Sequence, residues 1–327
     1  MVVSIAMLVG NQQSASSAFP TMPWPHETAV SIPDPRNLLK DSPASDKSLL
    51  WKAHLALYLV KHPDLNRQQV RIILEAISLS SPEFFTTSKE TTAQKIKANQ
   101  ALELLKREAV RAFPKSAATS LFGNMMTEKA GEDILKMYFD LSALPVKKRR
   151  VSFRTLSSND RSELWRTHLV LFLVKRPQLS EMQKDVILSA MSLATSEYFG
   201  VRSSDPAWKI KVREPSRLLE QQIVNAFTLE EATKIFATLG DDAELAKSSA
   251  TVLLKSINYK PLSDSGPYMQ WANNSISEQD LMVVGGCGCS TDSDYCSIWS
   301  SCVGGGCSGS ESGCGTLWNH PCNGACK

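Results

Sequence analysis

Trp51-Lys52-Ala53-His54-Leu55-Ala56-Leu57-Tyr58-Leu59-Val60-Lys61-His62-Pro63-Asp64-Leu65 decides how this chain folds. Trp51, Leu55, Tyr58 and Leu59 stand at i, i+4, i+7 and i+8, so one apolar stripe runs along a single side of a helix. Pro63 stops it, because proline lacks an N–H and its ring clashes with the preceding turn. The pattern returns as Trp165, His168, Leu169, Leu171, Phe172, Leu173, Val174, Lys175, Pro177 and Leu179.

The spacing between partners is constant. Trp51 and Trp165, Gln69 and Gln183, Phe85 and Phe199, Lys95-Ile96-Lys97 and Lys209-Ile210-Lys211, and Phe113 and Phe227 all lie 114 residues apart. A gapless match of this length reads as an internal duplication. Its period is too long for a solenoid unit, so each copy is expected to be a small domain or half of a paired one.

Each copy reads as helices. Asn66 with Gln69, and Ser180 with Gln183, have the spacing at which a cap and a back-reaching amide satisfy free backbone N–H groups. Val70, Ile73, Leu74 and Ile77 supply the buried face that follows. A longer helix is expected from about Thr92 to Phe113, with its counterpart leading to Phe227; Thr228 and Glu231 start another, which Gly240 ends. No alternating run longer than a few residues suggests a strand. The predicted fold class is all-α: two tandem homologous helical domains at 45–125 and 159–240, plus a small C-terminal disulfide-rich irregular segment at 287–327. Between the copies, 126–158 reads as a helix carrying Ile134, Met137, Tyr138 and Leu141, then a solvated linker around the basic run Lys147-Lys148-Arg149-Arg150.

The helical copies offer little to catalysis. His54 and His168 each follow a tryptophan by three residues and share its helical face; a matched pair could bind metal, but one histidine per copy is read as a packing residue with a hydrogen bond. Glu83 and Glu197 read as acids at the start of a short helix. There is no glycine-rich phosphate loop, nucleophile elbow or zinc-protease motif. The expectation is a chain that is not an enzyme, with no cofactor and no metal.

All 8 cysteines lie after residue 286: Cys287, Cys289, Cys296, Cys302, Cys307, Cys314, Cys322 and Cys326. Around them are mostly Gly, Ser and Asn, too little apolar surface for a core, so covalent staples are expected to hold the segment together. Four disulfides leave no thiol over, and spacing alone does not choose the pairing. Two zinc sites would also use eight thiolates, although no Cys-x-x-Cys knuckle is present. Thioether links to the abundant Ser and Thr are a third chemistry.

Cys287-Gly288-Cys289-Ser290-Thr291-Asp292-Ser293-Asp294-Tyr295-Cys296, continued by Cys302, Cys307 and Gly313-Cys314-Gly315-Thr316, resembles the bacteriocins related to fulvocin C and their precursors. The match covers only the tail, about an eighth of the chain. The resemblance implies a secreted, disulfide-bonded antibacterial peptide. Residues 1–18, an apolar run closed by Ser16-Ser17-Ala18, read as a candidate signal peptide, and 19–44 as a proline-rich linker. No run approaches the roughly 20 apolar residues that cross a bilayer. Residues 241–286 read as a helix and linker ending in Gly285-Gly286, which is similar to a double-glycine leader and marks the expected cleavage point.

The whole chain carries +3, but Asp292, Asp294 and Glu311 against Lys327 leave the tail at −2. An acidic peptide gains nothing from anionic lipid. A cell-envelope receptor or protein target, contacted through Tyr295, Trp299 and Trp318 as exposed anchors, is therefore expected, together with a processing protease and export machinery; nucleic acid is not. Three readings stay open: a bacteriocin-like precursor with a duplicated helical pro-region, an uncleaved secreted binding protein whose tail is a surface module, and the precursor of a thioether-modified peptide.

Overall fold

Helices α1 (Ala44–Lys61) and α7 (Ser158–Lys175) are each 18 residues long. They carry the two tryptophan-led stripes and pack on each other. The computed structural model describes residues 43–86, 93–123, 129–176, 178–240, 287–296, 300–305, 307 and 309–327. The candidate signal peptide, the proline-rich linker up to residue 42, and all of 241–286 with its Gly285-Gly286 therefore lie outside the described residues.

After α1 come α2 (Arg67–Leu79), a 3-10 turn (Pro82–Phe85), α3 (Ala93–Ala112) and α4 (Lys115–Gly123). Then follow α5 (Lys129–Ser142) and α6 (Val146–Thr155). After α7 come α8 (Glu181–Leu193), α9 (Ser196–Gly200), a π turn (Lys209–Arg213) running into α10 (Glu214–Ala226), and α11 (Leu229–Phe236). Among the described residues the chain is all-α from 44 to 240, as the periodicity predicted. Asn66 with Gln69, Ser180 with Gln183, and Thr228 with Glu231 each close both bonds of a capping box. Helix α11 ends at Phe236, short of Gly240. Gly240 serves a different need: its φ is 74°, and a Cβ there would overlap Ser142 on α5.

One device holds the helices together. The last carbonyls of a helix have no partner within it, and here side chains of neighbouring elements supply donors. His54 meets Leu121 O at 2.8 Å and His168 meets Ile235 O at 3.1 Å; Gln69 donates to Ala112 O at 2.8 Å and Gln183 to Ala226 O at 3.1 Å. Ser48 and Ser162 do the same for Ser80 O and Ala194 O. A carbonyl only accepts, so each histidine Nε2 carries its proton, and Nδ1 of His168 is left to accept from the Tyr138 hydroxyl at 2.9 Å. This is the packing role expected of both histidines.

Arginines extend the device. Arg166 donates to Leu59 O and Val60 O at the end of α1 and to Met191 O near the end of α8, and burial lowers its pKa to about 10. Arg149, 6 % exposed, donates to Ser142 O, Leu144 O and Leu239 O. The basic run is thus no solvated linker. It lies in the first half of α6, where Lys147 stays exposed and Arg149 turns inward, because a guanidinium with five donors can terminate several chain ends at once.

Among the described residues of 287–327 are four short strands: β1 (Cys302–Gly304), β2 (Ser310–Cys314), β3 (His320–Cys322) and β4 (Gly324–Cys326). They pair as two antiparallel ladders, β1 with β4 and β2 with β3, the latter irregular between Ser310 and Cys314. Strand β2 packs against α6.

Candidate functional site: the seam between tail and helices

All eight cysteines pair: Cys287 with Cys307, Cys289 with Cys302, Cys296 with Cys326 and Cys314 with Cys322, at Cα separations of 5.2, 5.8, 5.5 and 5.1 Å. These lie inside the range a disulfide spans without backbone movement. Sulfurs of Cys289, Cys296 and Cys302 cluster within 4.8 Å, but each is bonded to another sulfur and offers no thiolate to zinc. Asp294 braces the fold from its surface, accepting from the N–H groups of Cys296 and Cys302 at 2.8 and 2.7 Å.

The shortest of these loops, Cys314 to Cys322, presents a knob. Every residue from Gly313 to His320 is buried. Leu317 and Trp318 both have φ of 54°, a conformation that costs an L-residue roughly 1–2 kcal/mol each. Both side chains are 0 % exposed, so burial offsets that strain. Gly315, at φ 66°, also leaves room for Ser293, whose side chain a Cβ would strike.

The knob enters the core of residues 153–237. The Trp318 ring meets Trp165 at 5.9 Å and Phe153 at 5.6 Å, both edge-on, and Arg150 lies over its face at 5.6 Å. Its indole N–H donates to Ala237 O at 2.6 Å. Asn319 donates to Tyr198 O at 2.7 Å, and the Tyr198 hydroxyl bonds Ser216 at 2.8 Å, where burial pushes the phenol well above its ordinary range.

Beside the knob sits a small polar network. Ser293 and Thr316 hydroxyls both donate to Glu220, the latter at 2.8 Å, and the Tyr295 hydroxyl bonds Thr316 Oγ1 at 3.0 Å. Burial raises the Glu220 pKa, and the two hydroxyls partly oppose that by favouring the carboxylate. Further out, Arg213 pairs with Asp292 at 3.0 Å. His320, 0 % exposed, packs edge-on against Trp208 at 5.7 Å, and neither ring nitrogen has a hydrogen-bond partner. Burial, then the nearby Arg213 charge, lower its pKa to about 4.

The anchors expected to be exposed are placed otherwise. Trp318 is wholly enclosed, because the helices supply a socket for it; Tyr295 is half-buried in the Glu220 network; Trp299 lies outside the described residues. Sequence reasoning missed Tyr198, Trp208, Ser216 and Glu220. A signal was present: at the 114-residue offset these stand opposite Phe84, Gln94, Leu102 and Lys106, so polarity or bulk changes at each. A second feature lies apart from the seam, a groove of about 660 Å³ between α2 and α8 lined by Arg67, Arg71, Glu75, Glu181 and Lys184 among others. Among the described residues no helix is long and apolar enough to cross a membrane. Known protein families, curated proteins and solved structures contain no match to this chain.

Proposed function

We propose that this chain is the precursor of a secreted, disulfide-stapled antibacterial peptide released from its C-terminus, and that the helices are a pro-region arisen by duplication of one unit. One observation carries the reading: the Gly313–His320 loop is buried against the helices, with Trp318 0 % exposed. A stapled peptide whose aromatic anchor is enclosed cannot present it to a target. Cleavage between the last described helix and Cys287, with Gly285-Gly286 as the site, would allow the tail to dissociate from the helices, and dissociation frees that anchor for a cell-envelope receptor or protein target. Equal spacings of His54, His168 and the capping boxes support the duplication. Four disulfides support an oxidising, extracellular destination. The role is non-enzymatic.

The test places a specific protease site within 241–286 and compares the uncut chain with the cut one. The tail is separated from the helices by denaturing chromatography that leaves disulfides intact, then refolded. The oxidised tail is expected to inhibit bacterial growth, to lose this on reduction, and to be matched by neither the uncut chain nor the helices. Inhibition by the uncut chain with an inert tail would favour the other reading, an uncleaved binding protein that uses the charged groove between α2 and α8.

A further inference from the structure

The four disulfides all join cysteines of 287–327 to one another. No covalent bridge ties the tail to the helices. What holds it there is a set of matched groups: the indole in a socket formed by Phe153 and Trp165, its N–H on Ala237 O, the Asn319 amide on Tyr198 O, two hydroxyls on Glu220, and Asp292 on Arg213. Each tail donor meets an acceptor on a helical element, and the one charged tail group in the set meets a cation. That is the composition of a recognition site, with an aromatic anchor at its centre and polar groups at its edge.

We propose that the helical region 146–240 is a specific receptor for the oxidised tail, which it retains after the connecting chain is cut and can bind in trans from a second copy. The proposal rests on the precursor reading for its biological use, in which the helices are the producer's own neutraliser of the peptide. It does not rest on that reading for its test. The receptor recognises the tail only with the Cys314–Cys322 loop closed, because that loop carries the left-handed Leu317-Trp318 turn that aims the indole inward. The matching positions among residues 44–123 cannot serve: the Tyr198 hydroxyl, held by Ser216, donates to Thr316 O at 3.5 Å, whereas Phe84 has no hydroxyl and Leu102 no partner for one, and Lys106 has donors where the tail needs an acceptor.

The experiment uses the full chain with a protease site in 241–286, folded oxidised and cut afterwards. Size-exclusion chromatography at micromolar concentration should find tail and helices eluting together. When cut chains with isotopically heavy tails are mixed with light ones, mass spectrometry of the complexes should find tails redistributed between helical regions. Glu220→Lys, which installs the residue found at position 106, should speed loss of the tail at least 100-fold, while Lys106→Glu leaves it unchanged. Circular dichroism of the uncut variants checks that both keep their helices. A cut, fully oxidised tail that elutes apart from folded helices, helices that unfold once the tail is cut, or a Glu220→Lys variant that holds its tail normally would each overturn the proposal. A retained and exchangeable tail that never inhibits growth after separation would leave the receptor standing and remove the antibacterial reading alone.

Discussion

At the ends of their helices, residues 44–123 and 158–240 use the same side chains for the same work: His54 and His168, Gln69 and Gln183, Ser48 and Ser162 each donate to the carbonyl 67, 43 or 32 residues further along. On the face that meets the tail they part. Phe84, Leu102 and Lys106 of the first stand opposite Tyr198, Ser216 and Glu220 of the second, and the side chains of the second set bond Thr316 and Ser293, directly or through one another. Even the helix between them differs. Pro215 lacks the N–H that Ala101 has, and a π turn over Lys209–Arg213 precedes it, closed by Glu214 N–H on Lys209 O. Groups that close helices are alike because every helix end needs them. Groups that hold the tail differ because it is the second segment that the tail bonds.

Three substitutions or conditions bear on this contrast. The largest effect is expected from Trp318→Ala, which empties a fully enclosed indole site and should destabilise the second helical region by roughly 3–5 kcal/mol. Hydrogen exchange should find α7 and α11 exposed by it and α2 and α3 unaffected. Equal loss of protection in both regions would show that the tail supports the whole molecule instead of one half.

Acid should come next. His320 has a pKa of about 4 when docked, against 6.5 for the ordinary side chain, so the undocked state takes up the proton first. The docked state is therefore fully favoured above pH 6.5 and loses stability as pH falls towards 4, by roughly 3 kcal/mol in all. Glu220, whose pKa is raised by burial, acts the other way, since its ionic form is the costly one in the seam. Urea titrations from pH 7 to 4 should display a falling midpoint, and His320→Gln should flatten it. A wild-type midpoint that stays level would mean that His320 stays neutral throughout or finds a partner on protonation.

Smallest and most even are the caps. Asn66→Ala and Ser180→Ala each remove the acceptor of a capping box and should each cost about 1 kcal/mol. Equal costs in calorimetry would confirm that the two segments are interchangeable at their helix ends; a cost confined to Ser180 would mean that the first segment is already frayed.

Local order set what could be read without coordinates. The Trp51 and Trp165 stripes, the three capping boxes and the even cysteine count are statements about residues close together in the chain, or about counts, and the helices and bridges follow them. Arg149 and Arg150 could not be read this way. A basic run in isolation looks solvated, and only the carbonyls of Ser142, Leu144 and Leu239, together with the face of Trp318, draw these two arginines inward. The four-disulfide pairing was equally out of reach, because spacing does not rank the alternatives.

By itself the sequence determined that the described residues of 44–240 are built from helices, that two stretches of them match at a fixed offset, and that eight thiols concentrate in a segment too apolar-poor to fold without bridges. Tertiary structure alone decided that this segment is inserted into the helical core through Trp318 and is not displayed beyond it. The reason lies in the range of the forces. Helix periodicity and capping act over a few residues and leave a pattern in the chain. The socket for Trp318 is assembled from Phe153, Trp165 and Ala237, up to 165 positions away, whose fitness for an indole exists only once they are packed together.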